Sequence, residues 1–189
     1  QVKVRNLQVH NEKVNTAFAG QRVAVNLQGI ELSEIKRGYL LAEQGFLTPS
    51  YRVDAKLRLL SSSERTLRNW NRIRFHLGTD ETLGRVVLLD RDELLPGEEA
   101  YAQIVMEKPV VAHKGDPFVI RYYSPVHTIG GGTIIDPAAS KQKRFKEEAL
   151  AELAVKEEGT LYDIVLHEME TASQELTLAE LVRKTGAQE

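Results

Sequence analysis

Basic side chains alternate with apolar ones in two stretches of the chain, and this is the clearest chemical pattern in the sequence. In residues 51–60 Arg and Lys alternate with Val, Ala and Leu, and in residues 72–77 two arginines and a histidine alternate with Ile, Phe and Leu. Alternate side chains of a β-strand share one face. Residues 52–76 hold seven basic and two acidic side chains, although the whole chain has a formal net charge of −2. We therefore predict two strands with basic outer faces, which suit either phosphate binding or simple solubility.

Two further candidates lie outside these strands. In residues 22–28 Val23, Val25 and Leu27 alternate with Arg22, Ala24, Asn26 and Gln28, which predicts a half-buried strand with Arg22 on its outward face. From the pattern alone, such an arginine is either solvated or part of a surface ion pair. Tyr122 and Tyr123 are adjacent, so on a strand one should enter the core while the other is exposed beside Arg121. The exposed tyrosine would be able to stack on a ribose or donate a hydrogen bond.

Several classes of chemistry lack their residues. The chain has no cysteine, and its five histidines are dispersed without a metal-ligand spacing such as HExxH. It contains neither a GxSxG nucleophile motif nor a GxxxxGK[ST] phosphate-binding loop. No apolar run is long enough to span a membrane. We expect no catalysis, metal or nucleotide cofactor in these residues, and no membrane partner.

Turn residues and periodicity predict mainly β-structure. A strand at residues 39–43 should be followed by a linker at residues 44–50, which contains glycine and proline. Short strands separated by turns over residues 51–137 predict a closed barrel. Glycines 130–132 in its closing strand predict a close approach of two backbones.

The period changes to that of helices after residue 137. An apolar stripe predicts a helix over residues 141–157, and a second helix starts at about residue 161. Thr177 followed by Glu180 is the pattern of a capping box, which predicts a short helix that Gly186 ends. We expect these helices to be incompletely packed.

Several runs in the sequence resemble one family. AGQRVAVNLQGIE, preceded by LQVHNEKV, is similar to the second barrel domain of the elongation factor Tu class of translational GTPases, and within that class to the bacterial selenocysteine-specific elongation factors. Three further runs follow in family order: FHLGTDETLGRVVLLD, LLPGEEAYAQI and SPVHTIGGGTIIDP. The resemblance covers the chain from its start to about Pro137.

The resemblance implies a fold of two small β-barrels, the first incomplete, followed by an α-helical partial winged-helix segment. The implied domains are residues 1–47 as the end of domain two, residues 48–137 as domain three, and residues 138–189 as the start of a winged-helix domain. It implies binding of selenocysteyl-tRNA for delivery to the ribosome at recoded UGA codons, in the cytoplasm and as a monomer. GTP, magnesium and the messenger RNA hairpin would be bound by domains that we expect to lie outside this chain.

The resemblance also implies roles for particular residues. The arginine of the AGQR run, Arg22, would line the pocket for the aminoacyl end, where a cation favours an anionic selenolate over neutral serine. Contacts to the tRNA would come from Arg72, Arg74, His76, Tyr122 and Tyr123.

Two alternatives remain open at this point. The chain would also fit the tRNA-binding barrels of another factor related to elongation factor Tu. The helical tail after residue 137 argues against this, because elongation factor Tu itself ends with its third domain. The other alternative is a structural β-barrel that serves as an interaction domain.

Overall fold

Strands make up most of the regular structure in the computed structural model, which describes residues 1–172 and 175–185. The chain forms two units, Gln1–Tyr39 and Leu40–Glu189. The prediction of mainly β-structure with helices after the strands is confirmed. The predicted domain boundaries near residues 47 and 137 stay predictions.

The first unit is a three-stranded antiparallel sheet. Its strands are β1 (Lys3–Val9), β2 (Glu12–Val14) and β3 (Val23–Gln28), in the order β2–β1–β3. A short 3-10 helix, Leu32–Glu34, follows the last strand, and side chains of Glu31 and Glu34 cap it reciprocally.

The strand predicted at residues 39–43 is absent from the structure. Tyr39, Leu40 and Leu41 have no regular secondary structure and no strand partner, and 61%, 61% and 56% of their surfaces are exposed. A β-strand requires a hydrogen-bonded neighbour, and the described residues provide none for this segment. The prediction from apolar residues alone was therefore wrong.

The second unit is built around a closed six-stranded antiparallel barrel. Going around the barrel, the strands follow the order β10–β11–β4–β9–β7–β6, so each strand has two partners. A two-stranded ribbon, β5–β8, lies outside this ring. The strands are β4 (Ser50–Leu59), β5 (Leu67–Arg68), β6 (Arg72–Leu77), β7 (Asp80–Leu88), β8 (Glu93–Leu94), β9 (Glu99–Val110), β10 (Pro117–Tyr122) and β11 (Thr128–Asp136).

Alternation of side chains builds the barrel core. On β6, Ile73, Phe75 and Leu77 point inward, and the polar residues between them point outward. Phe75 packs against Phe118 of β10, with ring centroids 5.1 Å apart. The closed barrel that the sequence predicts is confirmed, and it holds the outward side chains of β6 and β10 on a rigid surface.

Three glycines allow β11 to close the barrel. A Cβ atom on Gly130, Gly131 or Gly132 would collide with the carbonyl oxygens of Arg58, Phe118 and Lys56 respectively. The close backbone approach predicted from the glycine triplet is therefore present on both sides of this strand.

Among the residues that the structure describes, three helices follow the barrel: α1 (Glu147–Glu158), α2 (Leu161–Thr171) and α3 (Leu178–Thr185). The first begins six residues later than the prediction of residue 141. Phe145 has a left-handed φ of 58°, which an α-helix excludes, and its amide donates to the Leu89 carbonyl at 2.6 Å. Arg144 binds the carbonyls of Leu88 and Arg91 at 2.7 and 2.6 Å. The segment before α1 is thus anchored to the barrel.

The capping box predicted for α3 is present. The amide of Thr177 donates to Glu180 at 2.9 Å, and the amide of Glu180 donates back to the Thr177 hydroxyl at 3.3 Å. The predicted stop at Gly186 lies outside the described residues.

Helix α1 packs on the outside of the barrel. Leu153 is buried against Leu89 and Ile135 in a second apolar cluster. Beside it, the ammonium group of Lys156 contacts carboxylates of Asp136, Glu152 and Glu168 at 3.0, 3.0 and 3.2 Å. These partners belong to β11, α1 and α2, so one lysine joins the barrel to two helices. The expectation of incompletely packed helices is wrong for α1, whereas Leu161, Tyr162 and Met169 of α2 are exposed.

Candidate functional site

The outward side chains of β6 and β10 form a basic cluster. In the register of these strands Arg74 lies opposite Arg121, and Ile73 lies opposite Tyr122. Arg121 is exposed and forms no ion pair with any residue that the structure describes. The pairing therefore places basic side chains from two distant parts of the sequence side by side.

Tyr123 completes this cluster. The residue is 43% exposed, and the guanidinium groups of Arg72 and Arg74 lie 4.5 and 5.6 Å from the ring centroid. The Nε atom of Arg74 also donates to the Tyr123 carbonyl at 3.3 Å. Cation–π contact of this kind holds both cations and ring in fixed positions. Three of the predicted RNA-contacting residues are thus brought together.

Tyr122 points the other way. It packs against the barrel core, and its hydroxyl donates to the Arg65 carbonyl at 3.1 Å. This confirms that one of the two tyrosines enters the core while the other is exposed. The role predicted for Tyr122 in RNA contact stays a prediction, but its ring is not beside Tyr123 on the outer surface.

His76 lies at the edge of the cluster and is largely covered. Burial lowers the pKa of its imidazole, and the neighbouring Arg121 and Arg74 also oppose protonation, against the attraction of Glu81. Its Nε2 atom is buried without a hydrogen-bond partner among the described residues, and Nδ1 lies 3.9 Å from Glu81. A neutral His76 therefore adds no positive charge to the surface at pH 7.

Two carboxylates are paired with the arginines of β6. Glu107 Oε1 accepts a hydrogen bond from Arg72 Nε at 3.0 Å and lies 2.7 Å from Nη2. Glu81 accepts from Arg74 Nη1 at 2.5 Å, and this hydrogen bond lowers the pKa of the Glu81 carboxyl. Both carboxylates are exposed, so the cluster is less positive than its arginines alone would make it.

The sequence interpretation missed Trp70 and Arg85. Trp70 has a left-handed φ of 68° and is 52% exposed, and Arg85 Nη1 donates to its carbonyl at 3.1 Å. The Arg85 guanidinium lies 5.5 Å from the indole, and Arg85 is paired with Arg72 in the register of β6 and β7. A single Trp between two asparagines was an available signal. We use the term basic–aromatic face for the side chains of Trp70, Arg72, Arg74, Arg85, Arg121 and Tyr123.

Arg22 belongs to the first unit of the chain. It is exposed and directly precedes β3, so it is not part of the strand itself. It forms no ion pair within the described part of the chain. Its guanidinium is therefore available to an anionic ligand.

The outer face of β4 differs from the prediction of a free basic surface. Asp54 is fully buried and accepts from the side-chain amides of Gln103 and Gln142 at 2.7 and 3.0 Å. Burial raises the pKa of Asp54 to about 6. Lys56 on the same strand pairs with Glu157 of α1 at 3.3 Å. The segment before α1 therefore covers Asp54 and α1 pairs with Lys56, whereas Arg58 of this strand stays exposed. Periodicity within β4 alone does not reveal this cover.

Residues 1–172 and 175–185 contain no group of three or more His, Asp or Glu side chains arranged to hold a metal ion. No helix in this part of the chain is long and apolar enough to cross a membrane.

Comparisons with known proteins identify the barrel. Residues 54–141 match the family described as "Selenocysteine-specific elongation factor, beta-barrel domain". The selenocysteine-specific elongation factor of Desulfomicrobium baculatum is 38% identical over 180 residues, which are 95% of this chain and 28% of that protein. The chain thus spans less than a third of that curated relative.

Two solved structures share the fold. A bacterial selenocysteine-specific elongation factor, EF-Sec, has a TM-score of 0.73 at 22% identity and covers 98% of this chain and 28% of its own. The apo form of translation elongation factor SelB from Methanococcus maripaludis has a TM-score of 0.63 at 24% identity, covering 77% of this chain and 35% of its own. Sequence and fold agree, and the chain belongs to the family of selenocysteine-specific elongation factors, with residues 54–141 as its β-barrel domain.

Proposed function

We propose that the chain binds selenocysteyl-tRNA for delivery to the ribosome, and that the basic–aromatic face contacts the tRNA. The observation that carries this proposal is the placement of Arg72 and Arg74 around the exposed ring of Tyr123, with the unpaired Arg121 alongside. Guanidinium groups bind phosphate oxygens, and exposed aromatic rings stack on ribose or bases. Membership of the family supports tRNA as the nucleic acid.

The same face favours recognition of shape over sequence. Its cations lie on strands of a rigid barrel, and double-stranded RNA offers phosphates and 2′-hydroxyls at regular spacing. A flat strand surface does not enter the deep, narrow major groove of an RNA helix. We infer that the face grips the backbone of a tRNA stem.

Arg22 is proposed to select the aminoacyl group. A selenol is more acidic than a thiol, so selenocysteine carries a negative charge at neutral pH, whereas its serine precursor is neutral. An exposed guanidinium without an ion-pair partner favours the charged form.

We propose that these residues bind RNA and catalyse no reaction. GTP and magnesium would be bound by a GTP-binding domain, and the messenger RNA hairpin by winged-helix domains, all outside residues 1–189. The protein would act as a monomer in the cytoplasm, where translation takes place.

The face is tested by measuring the dissociation constant for tRNA by fluorescence anisotropy at several salt concentrations. Arg121→Ala and Tyr123→Ala should each weaken binding about threefold to tenfold, because each removes one contact. Arg58→Ala and Tyr162→Ala are matched controls, since both residues are exposed but lie outside the face. The controls should change binding less than twofold.

Two results would overturn the assignment. Absence of salt-dependent tRNA binding by the wild-type chain would remove RNA binding as the function. Equal losses in face and control variants would place the RNA elsewhere on the molecule.

The role of Arg22 is tested with selenocysteyl-tRNA and seryl-tRNA on the same tRNA body, in a protein that also carries the proposed GTP-binding domain. Wild type should prefer the selenocysteyl form, and Arg22→Ala should lose most of that preference while keeping its affinity for seryl-tRNA. A preference that survives Arg22→Ala unchanged would make Arg22 an ordinary surface residue.

A further inference from the structure

Two glutamates form ion pairs with the arginines that the proposed function assigns to RNA contact, Arg72 and Arg74. Glu107 Oε1 accepts a hydrogen bond from Arg72 Nε and lies in ion-pair contact with Nη2. Glu81 takes Nη1 of Arg74, whose Nε is bound to the Tyr123 carbonyl. In the free protein two of the three guanidinium nitrogens of each arginine thus already contact an oxygen of the protein.

A phosphate group has the same requirements as these carboxylates. A carboxylate is planar and a phosphodiester is tetrahedral at phosphorus, but each offers two anionic oxygens that accept paired N–H donors from a guanidinium. The side chains of Arg72 and Glu107 are 36% and 48% exposed, and those of Arg74 and Glu81 are 30% and 46% exposed. Exposed ion pairs contribute little to the net stability of a protein. Replacing a carboxylate by a phosphate at such a guanidinium therefore changes the free energy little.

We propose that Glu81 and Glu107 act as exchange ligands that hold Arg74 and Arg72 in place without RNA and compete with RNA phosphates for them. This inference rests on the proposed function. The carboxylates keep the arginine side chains against Tyr123, and their charge limits the affinity for any polyanion. A carrier that must release its tRNA benefits from such a limit.

Neighbouring groups support a local effect. Arg121 and Arg85 lie on the adjacent strands β10 and β7, and neither is paired with a carboxylate among residues that the structure describes. They provide the charge for first contact, whereas Arg72 and Arg74 become available by exchange. His76 stays neutral beside Glu81 and does not take over its role.

The test measures tRNA binding by Glu81→Gln, Glu107→Gln and the double variant at several salt concentrations. Glutamine keeps the size of the side chain and removes its charge. Each single variant should bind tRNA about threefold more tightly, and the double variant about tenfold. The slope of log affinity against log salt should steepen by up to about 0.7 to 0.9 for each arginine released.

Glu99→Gln is the matched control, because Glu99 pairs with Arg58 at 3.7 Å on another part of the barrel. It should change neither affinity nor slope. If the face variants bind no more tightly than Glu99→Gln, the exchange is refuted while wild-type binding still supports the proposed function. If wild type binds no tRNA in the same assay, the proposed function itself fails.

Discussion

Asp54 is a carboxyl group in a place that disfavours its charge. It lies beneath the segment that follows β11, and its two oxygens accept one hydrogen bond each from Gln103 and Gln142. Burial is the main cause of its raised pKa of about 6, the two amides oppose it, and the charges of Asp136 and Lys156 act in opposite directions. The side chain thus fastens residues 138–142 to the barrel at an electrostatic cost.

The burial of Asp54 gives the free energy of unfolding a defined pH dependence. Between the ordinary pKa of 3.8 and the folded-state value of about 6, the folded protein holds more protons on Asp54 than the unfolded chain does. The contribution of Asp54 to stability therefore falls as pH rises through this window, by roughly 2–3 kcal/mol, and is constant above it. Asp54→Asn should remove this term, so its stability relative to wild type should rise between pH 4 and pH 7. Urea unfolding across that range measures the difference, and parallel curves would contradict the assignment.

Part of the site was predictable from individual residues and their neighbours in the sequence. Alternation on residues 72–77 predicted the outward Arg72 and Arg74, and adjacency of two tyrosines predicted that one would be exposed. Trp70 and Arg85 were missed because their meeting depends on the register of β6 with β7. The burial of Asp54 was not predictable from β4, because the segment that covers it is almost ninety positions later in the chain.

At the scale of elements, α1 and α2 are joined to the barrel by both apolar and ionic contacts. The apolar part centres on Leu153, and the ionic part on Lys156 with Asp136, Glu152 and Glu168. The side chains of Lys156 and Glu168 are only 13% and 9% exposed, so removal of the cation leaves carboxylates poorly solvated.

Lys156→Met should therefore loosen the helices selectively. Amide hydrogen exchange in residues 147–171 should accelerate by about tenfold or more, whereas β6 and β7 should keep their protection. Lys143→Met, a change at an exposed lysine before α1, is the control and should leave exchange unaltered. Uniform acceleration in barrel and helices would show that Lys156 stabilises the unit as a whole and does not specifically dock the helices.

Element boundaries were predicted less well than element types. The strand expected at residues 39–43 failed because apolar residues do not make a strand without a partner. Helix α1 began late because Phe145 has a left-handed backbone and is tied to Leu89. The barrel itself was predictable, since alternation and turns repeat throughout residues 51–137.

At the scale of the whole molecule, the second unit has two different sides. Around the barrel, β6 is separated from β4 by two strands in either direction. The basic–aromatic face and β4, whose Lys56 pairs with α1, therefore lie on opposite sides. RNA on β6 and β10 would not need to displace α1. The glycines of β11 keep the wall between these sides closed.

Closure of the barrel also fixes when the unit can form during synthesis. The first barrel strand, β4, pairs with the last, β11, and Ala55 lies opposite Ile134, about eighty positions later. Until β11 has left the ribosomal tunnel, one edge of β4 has no strand to bind, and no shorter stretch of chain completes the ring. This long-range pairing makes the barrel a late and cooperative folding event, and a nascent chain that stalls before residue 128 would present an open strand edge to other proteins.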